Sequence, residues 1–280
     1  FQNQDGGFGN ALEPDMRTPT SSALATGMGM WILADVVTPQ DLAASDTPLM
    51  FENAVKFLVD TFDSQTKVWR VVPHDANTYP HAPWWHNDNG SLARTFDDFL
   101  VIPRAQLVGL LYRGDLCPHY ASLVPASWLE AVTEATVGDI LTMDEEAFGG
   151  GGDTLRYALD LAETDILPQT YKKRLIPRLR DLTSVVVSRD PSEWDSYCAP
   201  PLKIAPSPDS AVADLLADAL QDHLDYQIDH QTAEGTWEPT WTWGEFYPQV
   251  WEQAKLEWRG VLTLDTLRSL DAFGRIEEAG

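Results

Sequence analysis

Two seven-residue segments at opposite ends of the chain read alike: Gln2-Asn3-Gln4-Asp5-Gly6-Gly7-Phe8 and Gln231-Thr232-Ala233-Glu234-Gly235-Thr236-Trp237. Both have the form Gln-x-x-acid-Gly-x-aromatic. A repeated element constrains a fold more than any single helix does, because every copy must suit the same supersecondary unit. The pattern has the chemistry of a staple. Glycine permits a tight turn, the glutamine amide hydrogen-bonds into the loop that follows, and the aromatic ring fills a gap between helices. A third, degraded copy lies at Phe62-Asp63 and Trp69. Repeated, such staples join helical hairpins side by side.

Apolar periodicity between the staples is helical and gives no alternating strands, so the chain reads as all-α. The spacing predicts about eight helices, over 18–37, 47–62, 103–113, 126–143, 154–164, 169–187, 208–231 and 248–273. Pro19 and Pro48 suit first helical positions, whereas Pro177 predicts a kink or a split. Phe51, Val55, Leu58, Val59 and Phe62 recur at three and four residues and mark one buried stripe.

A length of 280 residues allows one large core, and no linker composition interrupts it, so residues 1–280 are expected to form a single domain. The chain opens at Phe1 inside a loop motif, which suggests that natural N-terminal residues precede it. No apolar run approaches the roughly 20 residues needed to cross a bilayer; the densest, 23–37, is broken by Gly27, Gly29 and Asp35. With 43 acidic against 19 basic residues, the formal charge of -24 opposes binding to nucleic acid and to anionic lipid. Cys117 and Cys198 form no CxxC pair, so neither a disulfide scaffold nor a cysteine-rich zinc site is indicated, and a reducing, cytoplasmic setting fits.

Residues able to do chemistry gather in three places. Glu13, Asp15 and Arg17 alternate in a loop leading into a helix, and an extended backbone sends alternate side chains to one face. A carboxylate pair in a dry pocket shares one proton and has one raised pKa, which suits a general acid, with Arg17 holding the other carboxylate ionised. Helix capping and surface pairing are the competing uses of the same acids. The second place is the segment 81–88, which packs His81, Trp84, Trp85, His86 and Asp88 into one loop. Either histidine there can move a proton near neutral pH or, with Asp15 or Asp88, hold a metal through nitrogen and oxygen. This histidine spacing is no established ligand signature and no thiolate assists, so no metal is assigned.

The third place is the tail, where Trp237, Trp241, Trp243, Trp251 and Trp258 can form a wall of indoles. Phe246 joins that wall, and Arg104 completes the set of expected substrate contacts. Among the nearby acids, Glu252 and Glu257 are assigned to pairs with Lys255 and Arg259. Glu238 and Glu245 have no basic neighbours in sequence and are kept as functional candidates. His223 and His230 fall on an apolar helix stripe and read as structural. His74 and His119 read as exposed and without partners, and the glycine run 149–152 reads as a flexible connection.

The staple segments resemble the glutamine-tryptophan repeats of squalene-hopene cyclase and its relatives. The segments Leu12-Glu13-Pro14-Asp15, Pro80-His81-Ala82-Pro83-Trp84-Trp85-His86 and Trp237-Glu238-Pro239 look like those of a short branch of squalene-cyclase-like repeat proteins. The resemblance implies an α/α toroid, a barrel of helical hairpins, with isoprenoid chemistry in an aromatic-lined central pocket. The chain departs from that family's reaction motifs. It has no DxDD tetrad, only the pair Asp97-Asp98, and no DDxxD motif. Neither Cys117 nor Cys198 matches the Asp, Cys and His zinc triad of protein prenyltransferases.

The expectation is therefore an enzyme acting on an isoprenoid or other apolar polyene, a small molecule, by proton-initiated cyclisation, isomerisation or water addition, with no cofactor. Glu13 and Asp15 would supply the acid, His81 or His86 the base, and the indoles a mould that stabilises cationic carbon. Two alternatives stand beside it. A carbohydrate-active α/α barrel would use the same paired acids and tryptophans, and a binding protein would use the toroid only to hold an apolar ligand. Oligomeric state is left open.

Overall fold

The computed structural model describes residues 1–38, 46–86, 101–113 and 120–277. The described residues are helical, with isolated antiparallel bridges and no named strand. In chain order the α-helices are α1 (Ala23–Val36), α2 (Thr47–Thr61), α3 (Arg104–Leu111), α4 (Ala126–Thr142), α5 (Asp153–Glu163), α6 (Gln169–Val186), α7 (Pro201–Ile204), α8 (Ala217–Asp229) and α9 (Pro248–Ala272). The all-helical class read from the sequence is what is found.

Two expected boundaries move, each because polar side chains hold the residues upstream outside the helix. Helix α1 starts at Ala23, with the Ser22 hydroxyl accepting from the Ala25 amide. Upstream, the Thr18 and Thr20 hydroxyls donate to Asp75 and hold residues 18–20 outside the helix. At 208–216 a Ser207 hydroxyl accepts from the Asp209 amide and a chain of tight turns follows, so α8 forms only from Ala217. Pro177 sits inside α6, which runs on past it. The four-residue helix α7 was not expected.

The chain divides into two compact units, Phe1–Ile140 with Asp160–Gln169, and Leu141–Leu159 with Thr170–Gly280. In the first, α1 packs on α2 and α3. Met30, Phe51, Val55, Leu58, Leu107, Val108 and Leu111 fill its core. In the second, α7 packs on α8, and Leu175, Leu179, Leu182, Ile204, Leu224 and Trp251 are buried.

The staple loops share one hydrogen-bond skeleton. In the first, the Gln2 side-chain amide donates to Gly6 O at 2.9 Å, Asn3 N to Gly7 O at 2.8 Å, and Gly6 N to Asn3 O at 3.0 Å. In the last, the Gln231 amide donates to Gly235 O at 3.1 Å, Thr232 N to Thr236 O at 2.9 Å, and Gly235 N to Thr232 O at 2.9 Å. Gly6 and Gly235 occupy the left-handed region, at φ +89° and +77°, which is why glycine stands there. The aromatic residue's own amide donates to a threonine hydroxyl on the following helix in both cases, Phe8 to Thr26 and Trp237 to Thr263.

Where the ring is an indole, it also caps the preceding helix. Trp237 Nε1 donates to Gln227 O at 2.9 Å, and Trp69 Nε1 to Leu58 O at 2.7 Å. Both carbonyls lie in a last turn, where the helix itself supplies no donor. The middle loop is one residue longer. Asp63 N donates to Val68 O, Lys67 takes the left-handed position at φ +63°, and Arg104 Nη1 donates to Lys67 O at 2.7 Å. The Phe8 ring lies on α1 at Gly29, where an added Cβ would meet the ring at 2.7 Å.

Candidate functional site

Residues 13–17 and 80–86 meet in the first unit. Met16 and His81 form an antiparallel bridge, Arg17 N donates to Pro80 O at 3.0 Å, and Ala82 N donates to Asp15 O at 2.8 Å. This pairing gathers Glu13, Asp15, His81 and Trp85, all buried, into one small region.

Glu13 is 5 % exposed, and its Oε2 has no hydrogen-bond partner among the described residues. Burial, then the neighbouring Asp15 charge, push the Glu13 carboxyl well above the usual carboxylate range. The amides of Asp15 and Met16 and the Trp85 indole pull the other way and are outweighed. The result is a carboxylic acid that keeps its proton where an exposed glutamate has lost it, the property required of a general acid near neutral pH.

His81 is fully buried and His86 exposed. His81 Nδ1 lies 2.6 Å from Tyr79 O, which accepts and so assigns the proton to Nδ1. Nε2 of His81 is then the acceptor and meets His86 Nδ1 at 2.8 Å. The rings are inclined by only 10°, and their 5.1 Å centroid separation spans that contact plus one ring radius on each side. They therefore join edge to edge, nearly in one plane, as an imidazole pair reaching from solvent to the interior. Burial is the largest influence on His81 and lowers its pKa, with His86 adding to that.

The other expected residues fall into different settings. Arg17 donates to Pro14 O at 3.4 Å, and Trp84 is 46 % exposed. Asp88 lies outside the described residues, as do Asp97, Asp98, Cys117 and His119. Arg104, expected at the substrate, is buried at 1 % exposure, paired with Asp139 and clamped on Lys67 O, which accounts for it as a structural cation. His74 is exposed as expected but has a partner, Arg70, which donates to its ring.

In the second unit, Trp237, Trp243 and Trp251 are buried. Trp243 packs on Trp251 at 5.7 Å and Trp241 edge-on to Trp258 at 5.3 Å, so the tryptophans form pairs. Glu238, kept for its lack of basic sequence neighbours, pairs with Lys255 and Arg259 from α9, far beyond the reach of helical spacing. Arg259 also holds Glu234 of the last staple at 2.7 Å. Glu245 is exposed, and Phe246 is 39 % exposed and packs edge-on to Tyr247. His223 is buried, accepts from Leu202 N and lies against Trp194, which agrees with a structural role. The glycine run is a platform: a Cβ on Gly151 would meet the Tyr197 ring at 2.6 Å.

Sequence reasoning missed Trp85 as the neighbour of Glu13 and missed a cleft of about 550 Å³ between α1, α2 and residues 70–75. A second cleft, of about 450 Å³, is lined by Trp31, Gln106, Arg113 and the acids Asp160, Glu163 and Asp165. Neither wall includes Glu13, Asp15 or His81. Among the described residues no group of three or more His, Cys, Asp or Glu is arranged to hold a metal ion, and no helix is long and apolar enough to cross a membrane. Comparison of the chain with protein-family models, curated proteins and solved structures finds no match.

Proposed function

We propose that the chain is an acid–base enzyme of the α/α toroid type that protonates a small apolar polyene, starting a cyclisation, isomerisation or hydration. One observation carries this reading: a buried glutamic acid, Glu13, with a raised pKa and an oxygen that meets no hydrogen-bond partner among the described residues, beside a second carboxylate and an indole. An unsatisfied buried acid oxygen costs about 1–3 kcal/mol, and such costs concentrate where function requires them.

In this mechanism Glu13 delivers its proton to an alkene carbon, and the resulting cation lies against the Trp85 face, where cation–π attraction stabilises it. The neighbouring Asp15 charge helps keep the proton on Glu13 in the resting state. The proton lost at the end returns to the Glu13 carboxylate, while His81, bonded to Tyr79 O and to His86, holds the loop that carries Trp85 in position. The repeated staple loops support the toroid part of the reading, because the first and the last share one skeleton and each ties its aromatic residue to the helix that follows.

The test is incubation of the protein with a panel of acyclic polyenes in deuterium oxide, with mass spectrometry for carbon-bound deuterium. Deuterated product from the wild type, lost in Glu13→Gln and slowed at least tenfold in His81→Ala, is the expected result. Equal turnover by Glu13→Gln, or no carbon-bound deuterium in any product, overturns the reading.

A further inference from the structure

Helix α9 is apolar on two opposite sides. One side is committed within the second unit: Trp251, Ala254 and Ser269 are buried, Thr263 accepts from Trp237 N, and Arg259 holds Glu234 of the last staple. The other side carries Leu256, Leu264 and Leu267, which are 57, 46 and 38 % exposed. With Gly260 they recur at four, four and three residues, so they share one stripe. A helix that buries one face gains nothing from leucines on the opposite one, and a continuous exposed apolar stripe marks a surface that something covers.

Gly260 gives an independent sign. It stands inside the 25-residue helix, outside the left-handed region, and a Cβ there would meet nothing within 4 Å. Neither backbone conformation nor crowding within the chain calls for glycine, which loosens a helix interior relative to alanine. At Gly29, by contrast, the Phe8 ring leaves no room for a Cβ. A hollow in the middle of an exposed leucine stripe suits close approach from outside, because helices pack by setting the ridges of one into the grooves of the other.

The stripe is complementary to itself. Turned end for end about a twofold axis at position 262, a second α9 sets Leu264 of each copy over Gly260 of the other, and Leu256 of each against Leu267 of the other. Such an axis brings the same flank of both helices together. That flank carries Glu257 and Arg268, and the same axis sets Glu257 of each copy beside Arg268 of the other. Both side chains also hold interactions within their own chain, among them the hydrogen bond that Glu257 accepts from Gln253 at 2.9 Å. The charges therefore fix direction and register, while the leucines supply the burial.

We propose that this face of α9 binds a second copy of the chain, as an antiparallel pair of α9 helices crossing at Gly260 and Leu264. The interface lies in the second unit and shares no residue with the Glu13 region, so it stands or falls apart from the proposed chemistry. Each chain carries a formal charge of -24, so long-range repulsion opposes association, and salt, which screens it, favours the pair.

Sedimentation velocity over about 1 to 100 μM protein, a range that brackets a Kd on the order of 10 μM, at about 0.15 and 0.5 M salt, tests the proposal. The wild type should pass from monomer to dimer as concentration rises, and at lower concentration in the higher salt. Gly260→Leu fills the hollow and meets nothing in its own chain, so it should stay folded by circular dichroism and weaken the dimer at least tenfold. Leu264→Glu should do the same. Glu257→Arg and Arg268→Glu should each weaken self-association, whereas an equimolar mixture of the two should pair as well as the wild type. A wild type that stays monomeric in both salts leaves the stripe to another occupant and overturns the proposal, as does a dimer unchanged in both Gly260→Leu and Leu264→Glu. A mixture that pairs no better than either charge variant alone overturns the antiparallel register.

Discussion

Replacing Glu13 by glutamine keeps the side chain's shape and removes its proton chemistry, which makes the buried acid measurable without knowing a substrate. In the folded protein the Glu13 carboxyl titrates well above the usual glutamate value of 4.5. Between those two values the folded state holds a proton that the unfolded chain has released. Unfolding stability therefore falls as pH rises across that window, by about 1.4 kcal/mol per pH unit for one proton, and levels off above Glu13's own pKa. Glu13→Gln has no such proton. Urea unfolding of both proteins at steps from about pH 4.5 to 8 should show the variant gaining on the wild type with that slope. Other groups titrate over the same range, His223 among them, but they are common to both proteins and cancel in the difference. Asp15→Asn should narrow the window, because the neighbouring charge is the second cause of the shift. Parallel stability curves for wild type and Glu13→Gln would refute the claim that Glu13 is buried as the acid, and with it the proposed chemistry.

The staple loops predict unequal costs at equivalent positions. Gly235→Ala meets only Gln231 Nε2, at an ordinary 3.8 Å, and at φ +77° should lose about 1 kcal/mol, whereas a Cβ on Gly6 would lie 2.4 Å from Asn53 O, so Gly6→Ala should lose more than about 3 kcal/mol, read from urea midpoints. Trp237→Phe keeps the ring and removes the donor to Gln227 O, and should lose about 1 kcal/mol; retention of full stability would deny the indole its capping role. Burial lowers the His223 pKa from 6.5 to about 4, so the wild type should lose on the order of 3 kcal/mol as pH falls through that interval, a loss that His223→Gln should not share in acid unfolding followed by circular dichroism.

The parts of this protein legible in its sequence are those set by neighbours in the chain. Helical periodicity located the helices because each buries its own stripe, as Phe51, Val55 and Leu58 do in α2. The staples were legible because Gln, acid and Gly act within a few residues of one another. The meeting of Glu13 with Asp15 was read from alternation, but the approach of Trp85 was not, since it depends on residues 13–17 pairing with 80–86. Glu238 was misread for the same reason. Its cations come from α9, brought up by the turn of the chain through 241–247, and sequence adjacency carries no trace of them. The start of α1 was missed because the partner that unwinds residues 18–20, Asp75, is remote in sequence.

The middle staple carries an extra residue, yet its indole still reaches the last turn of the helix before it, as the indole of the final staple does. What is held constant is thus the anchorage at the two feet of the loop, while the apex absorbs the added length by moving its left-handed position along one place. A loop of this kind accepts insertions at its tip and resists them at its feet. Grafting a short epitope or a single glycine at 65–66 should consequently leave the helices undisturbed, whereas the same graft between Val68 and Trp69 would pull the indole off its carbonyl and let α2 fray.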